Sequence, residues 1–171
     1  AHPTQATKIT HGWIKRGQDK AIKTTGSRTR LSLVGAIRLG HLSESIVRRY
    51  DKVDGNTLID FMGEIRSSYS KAKYIHVVLD GAGYHRNKLF VAKAEELHIK
   101  LHYLPPYSPN LNPIERLWKV MNEPIRNNVY FSSAQEFRER IDQFFNITLP
   151  NISSSLESRI NDNFQRLDYA N

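Results

Sequence analysis

Two carboxylates stand out for the chemistry they could do. Asp80 ends the most apolar short run of the chain, Tyr74-Ile-His-Val-Val-Leu-Asp80, and is followed by Gly81-Ala82-Gly83. A short, nearly continuous apolar run reads as a strand buried on both faces of a sheet. In open α/β sheets, ligand sites form outside the carboxyl ends of the strands, so an acid there meets a crevice on a rigid backbone. Asp-Gly is also a common turn pair, and a turn or helix-capping role for Asp80 stays open. Glu115 lies in Asn112-Pro-Ile-Glu115. There Asn112 reads as a helix cap, Pro113 as the first helical residue and Glu115 as the third position of a capping box. First-turn residues also project toward a crevice at the sheet edge, so this side chain can cap or ligate. The stretch from Pro105 to Pro113 stiffens the approach and fixes where the carboxylate points.

The elements that must position these acids follow from pattern. Residues 10–16 and 30–39 are β-rich, with Gly and turn residues on their flanks, and predict a hairpin. Ser45–Tyr50 predicts a third strand before a turn at Asp54-Gly55-Asn56. Leu58, Phe61, Met62, Ile65 and Tyr69 then form a helical stripe. A helix over 87–98, a strand over Ile99–Leu104 and two further helical stripes follow, one from Ile114 to Met121 and one from Phe137 to Thr148. Parallel neighbours need helical crossovers, so the order predicts an α/β protein with a mixed sheet flanked by helices. No repeat or linker interrupts it, and one domain over 1–171 is the expectation.

Charge is distributed unevenly. Residues 1–50 carry ten Lys and Arg against Asp19 and Glu44 alone, whereas the rest of the chain is balanced. All of the formal +8 therefore sits in the first third. That asymmetry fits a phosphate backbone as partner, and it equally fits a well-solvated basic hairpin. The chain has no cysteine, which excludes disulfides and thiolate metal sites. No apolar run approaches the length of a membrane span, and no signal-peptide pattern opens the chain.

Residues 77–86 (Val-Val-Leu-Asp-Gly-Ala-Gly-Tyr-His-Arg) and 104–119 (Leu-Pro-Pro-Tyr-Ser-Pro-Asn-Leu-Asn-Pro-Ile-Glu-Arg-Leu-Trp-Lys) resemble the second and third acidic motifs of DDE transposases. The 34 residues between Asp80 and Glu115 match the spacing of the bacterial insertion-sequence branch of the Tc/mariner superfamily. His2-Pro3-Thr4, residues 12–17 and residues 28–37 resemble this branch as well. The resemblance implies a ribonuclease H-like fold and a site in which three carboxylates hold two Mg²⁺ or Mn²⁺ ions. Asp80 and Glu115 would be the second and third. The first belongs one or two residues ahead of the His-Pro segment, upstream of Ala1, and none of Asp19, Asp51, Asp54 or Asp60 stands in a context to replace it. The expectation is therefore a catalytic domain truncated at its N-terminus. Its first strand would be missing, Ala1 and His2 would start near the carboxyl end of the Asp80 strand, and a sheet edge would lie open.

The resemblance further implies metal-dependent DNA cleavage and strand transfer. Its partners would be double-stranded DNA, at transposon ends and target, and a second copy in a homodimer, in the cytoplasm at the nucleoid. Two alternatives stay open: an inactive remnant that only binds DNA or dimerises, and a nuclease without strand transfer. Lys23, Arg28 and Arg30 flank the predicted hairpin and are assigned to DNA phosphates. His85, a few residues past Asp80, is assigned to phosphate or to support of that acid, with a plain loop histidine as the alternative. Trp13 and Trp118 read as packing rather than base-stacking residues.

Overall fold

A computed structural model of the protein describes residues 1–164. Strands β1 (Ser32–Ala36) and β2 (Ile46–Tyr50) pair antiparallel, with Ser32 opposite Tyr50 and Ala36 opposite Ile46. Helix α1 (Gly55–Ser68) follows. The Asp54-Gly55-Asn56 segment is thus a helix start rather than a free turn. The Asp54 carboxylate accepts the amides of Asn56 and Thr57, and the Thr57 hydroxyl accepts the Asp54 amide. These bonds satisfy donors that the first helical turn leaves without partners.

Strands β3 (Ile75–Leu79) and β4 (Ile99–Tyr103) run parallel, joined by helix α2 (Lys88–Glu96), which starts on the Asn87 side chain. Helix α3 (Ile114–Ile125) and helix α4 (Ala134–Gln143) complete the main elements, and α4 runs on through a wide turn at Phe144–Thr148. The pairing is mixed, as the element order predicts, but it is split in two: β1–β2 and β3–β4 are not hydrogen-bonded to each other.

Two expectations are corrected. Residues 10–16 form no strand; the segment that pairs with 29–33 is Ala1–Gln5, through bonds from Gln5 to Thr29, Leu31 to Pro3 and Leu33 to Ala1. Residues 10–16 offer no face that anything buries, and Trp13 stands fully in solvent at 103% exposure. It is neither core nor hairpin packing. Asn128, in the left-handed region at φ 59°, ties down the base of this arm by exchanging two side-chain bonds with Thr10. The second correction concerns β3, which is covered on one face only. Leu79 is buried and packs in a cluster with Ile75 and Val77 against Leu58 and Met62 of α1 and Phe90 and Ala94 of α2, while Val78 on the other face is 57% exposed. Helices α3 and α4 instead pack with Leu31 and Leu33 in the largest cluster, around Leu117, Phe137 and Ile141.

Gly35 explains itself in that packing. A Cβ added there would lie 2.7 Å from Cη2 of Trp118, so a strand glycine lets the indole lie against the sheet. Trp118 is a core residue, as its sequence setting indicates, at 8% exposure.

Candidate active site

Between the two strand pairs runs a groove of about 670 Å³, lined by β1 on one side, β3 on the other and the first turn of α3 at its end. Asp80, His85, Asn112 and Glu115 all line it. The two acids separated by 34 residues are therefore brought to one opening, Asp80 by β3 and Glu115 by α3. Ala1 and His2 line the same groove.

The backbone edges of the groove are defined by their neighbours. Leu33 and Ala1 exchange two hydrogen bonds, at 2.9 and 2.7 Å, so the polar groups of Leu33 point away from β2. By strand alternation those of Gly35 point the same way, toward β3. On β3, Ile75 donates to His98 and Leu79 accepts from Leu104, both on the β4 side. The groups of His76 and Val78 therefore face the groove. Both edges have the geometry to accept a strand.

Glu115 is exposed, and among the described residues no donor reaches its carboxylate. The capping-box expectation is not met: the Glu115 amide is held by the Asn112 carbonyl at 3.0 Å, and the side chain does not fold back on the cap. The carboxylate is left free to face the groove. Asp80 is held differently. Its Oδ1 accepts from the Ala82 amide at 3.2 Å and lies 2.9 Å from Nδ1 of His85. The bond to Ala82 realises the turn role left open for Asp80, yet it leaves Oδ2 without a partner among the described residues.

Burial first, and then the Arg30 guanidinium, hold the His2 imidazole below its ordinary pKa. Arg30 thus lies within electrostatic reach of the groove mouth. Lys23 and Arg28 are exposed on the arm further out, and no contact ties them to the acids.

Sequence reasoning missed Tyr103. At the end of β4 its hydroxyl donates to the His85 carbonyl at 2.6 Å, and the Arg86 guanidinium lies 5.1 Å from its ring centre. Nothing local in Ile99–Tyr103 signals this, because the contact is made by the parallel pairing. Among the described residues no helix is long and apolar enough to cross a membrane.

The family described as DDE superfamily endonuclease matches residues 1–138. The chain belongs to that family. A relative in Shigella sonnei, the insertion element IS630 uncharacterized 39 kDa protein, is 28% identical over 144 residues, covering 84% of this chain and 42% of its own length. Among solved structures, the Mos1 strand transfer complex matches with a TM-score of 0.64 at 14% identity, over 96% of this chain and 54% of that one. The Mos1 mariner paired-end complex with Mn matches at a TM-score of 0.65 and 13% identity, over 96% and 55%. At such identities the likeness is one of fold, and the α/β class with a ribonuclease H-like arrangement stands. The chain spans about half the length of these proteins, and the family match agrees with the DDE assignment read from residues 77–86 and 104–119.

Proposed function

We propose that this chain is the catalytic part of a DNA transposase, which cuts phosphodiester bonds at transposon ends and joins the released 3′-hydroxyl ends to target DNA. The observation that carries the reading is the meeting of Asp80 and Glu115 on one groove in a chain of the DDE family. Asp80 and Glu115 would hold divalent Mg²⁺ or Mn²⁺, two ions in the complete site. The donor set fits such ions: both ligands are carboxylates, each with an oxygen that no described residue engages, and the chain has no thiol. When bound, the ions supply an activated oxygen nucleophile and charge relief at the leaving oxygen. A third carboxylate would come from a strand preceding Ala1 and seated between β1 and β3, where both edges offer hydrogen bonds.

The protein's own groups then divide the work. Asp80 and Glu115 are carried to the groove by separate elements, the end of β3 and the first turn of α3. Lys23, Arg28 and Arg30 would hold phosphates by charge, with Arg30 nearest the acids. Joining two transposon ends calls for two copies, and a homodimer is part of the proposal.

In the complete transposase chain, Asp80→Asn and Glu115→Gln should each abolish Mg²⁺-dependent cleavage while DNA binding persists. Near-wild-type cleavage by either variant overturns the assignment. Cleavage without joining of 3′-ends to a target plasmid would leave a metal-dependent nuclease in its place.

A further inference from the structure

His85 is placed too tightly for a loop residue that only meets DNA. Its side chain is 16% exposed beside an Asp80 carboxylate that is 61% exposed. The ring is wedged between Tyr84, edge-on with centroids 4.6 Å apart, and Phe90 of α2, at 5.6 Å. Its backbone is fixed from β4 by the Tyr103 hydroxyl on the His85 carbonyl. Three elements thus set one imidazole.

What the imidazole touches is specific. Nδ1 lies 2.9 Å from Asp80 Oδ1 and 3.1 Å from the Asp80 carbonyl oxygen. Both are acceptors, so Nδ1 must carry the proton. Oδ1 accepts the Ala82 amide and lies against the imidazole, whose N–H is bonded to the carbonyl oxygen. Oδ2 is left as the free oxygen of the carboxylate.

We propose that His85 is a positioning residue for Asp80: Nδ1–H bonds the Asp80 carbonyl oxygen, Oδ1 is held 2.9 Å from the same nitrogen, and Oδ2 is left to serve as a single-oxygen ligand. This rests on the reading of Asp80 as a metal-binding residue. Groups that hold a metal ligand in place typically change metal affinity by 10- to 100-fold when removed. Here the support comes from Tyr84, α2 and β4, elements other than the α3 that carries Glu115.

The test uses the complete transposase chain in two measurements. In the metal-free protein, long-range ¹H–¹⁵N spectra should show neutral His85 protonated at Nδ1. Protonation at Nε2 instead overturns the hydrogen bond and the proposal with it. Mn²⁺ titration should then show about tenfold weaker binding for His85→Ala. His85→Asn, whose amide can donate from near the Nδ1 position, should recover most of the loss, at an unchanged melting temperature. If Asp80→Asn loses Mn²⁺ while His85→Ala binds like wild type, the positioning role is wrong and the metal reading stands. If the wild-type chain and Asp80→Asn bind Mn²⁺ equally, the metal reading itself is wrong. The spectra need no metal, so they decide the hydrogen bond separately.

Discussion

The two strand pairs of this protein are unequal. β1–β2 leans on the large cluster of α3 and α4, where Leu117 and Phe137 are fully buried. β3–β4 leans on α1 and α2 through a smaller cluster and leaves Val78 more than half exposed. Glu115 belongs to the first half and Asp80 to the second. The deeply packed half holds its acid by the helix alone, with no bond to the carboxylate. The lightly packed half holds its acid by a local net of Ala82, His85 and Tyr103. Where packing is thin, directional hydrogen bonds supply the precision that a dense core otherwise gives.

The contrast can be broken most forcefully in the large core. Phe137→Ala should cost about 3–5 kcal/mol in denaturant unfolding, because a fully buried ring leaves a cavity that its neighbours cannot fill. Val78→Ser, on the open face of β3, should stay within about 0.5 kcal/mol, as surface changes usually do. Equal losses would show that the halves are not unequal after all.

Gly35→Val tests how the halves communicate. The new side chain meets Trp118 directly, and overpacking of this kind costs roughly 1–3 kcal/mol. The indole must move, and Ile114, which packs beside it, lies next to Glu115. Mn²⁺ binding should weaken along with stability. An unchanged melting temperature would mean that the sheet yields at no cost.

The basic arm belongs to the first half but does not support it. Changing Lys23, Arg28 and Arg30 together to Ala should leave the melting temperature nearly unchanged. The salt dependence of DNA binding should flatten by up to about three units of logarithmic slope. A slope equal to that of the wild type would remove these residues from the phosphate-binding surface.

The smallest effects lie at the two acid-sensitive helix starts, one in each half. The Thr57 amide, aided by Lys52, holds the Asp54 carboxyl below its ordinary pKa at the start of α1. The Ser132 hydroxyl and amide do the same for Glu136 at the start of α4. Both folded-state pKa values are depressed. Their contribution to stability is therefore present above the unfolded carboxylate range and is lost as pH falls through the folded values. Asp54→Asn should flatten the acid limb seen in α1 amides by hydrogen exchange, and Glu136→Gln the limb seen in α4. A variant that flattened both would show that the two halves melt as one.

The sequence by itself determined most of the elements and singled out two candidate acids within them. The apolar run into Asp80, the stripe from Leu58 to Ile65 and the Asn-Pro-Ile-Glu helix start are written in neighbouring residues, and local physics suffices to read them. The DDE family was legible in the motifs around Asp80 and Glu115. Partner choice was not legible. The hairpin expected at 10–16 pairs instead through Ala1–Gln5, because register depends on which face another element will bury. Glu115 fits a capping box by spacing, yet its carboxylate stays free in the structure. His85 was recognisable as a histidine near an acid, but its donation to Asp80 needed Phe90 from α2 and Tyr103 from β4 on either side. Only tertiary structure decided these points, since each depends on atoms far apart in the chain meeting within hydrogen-bond or van der Waals distance.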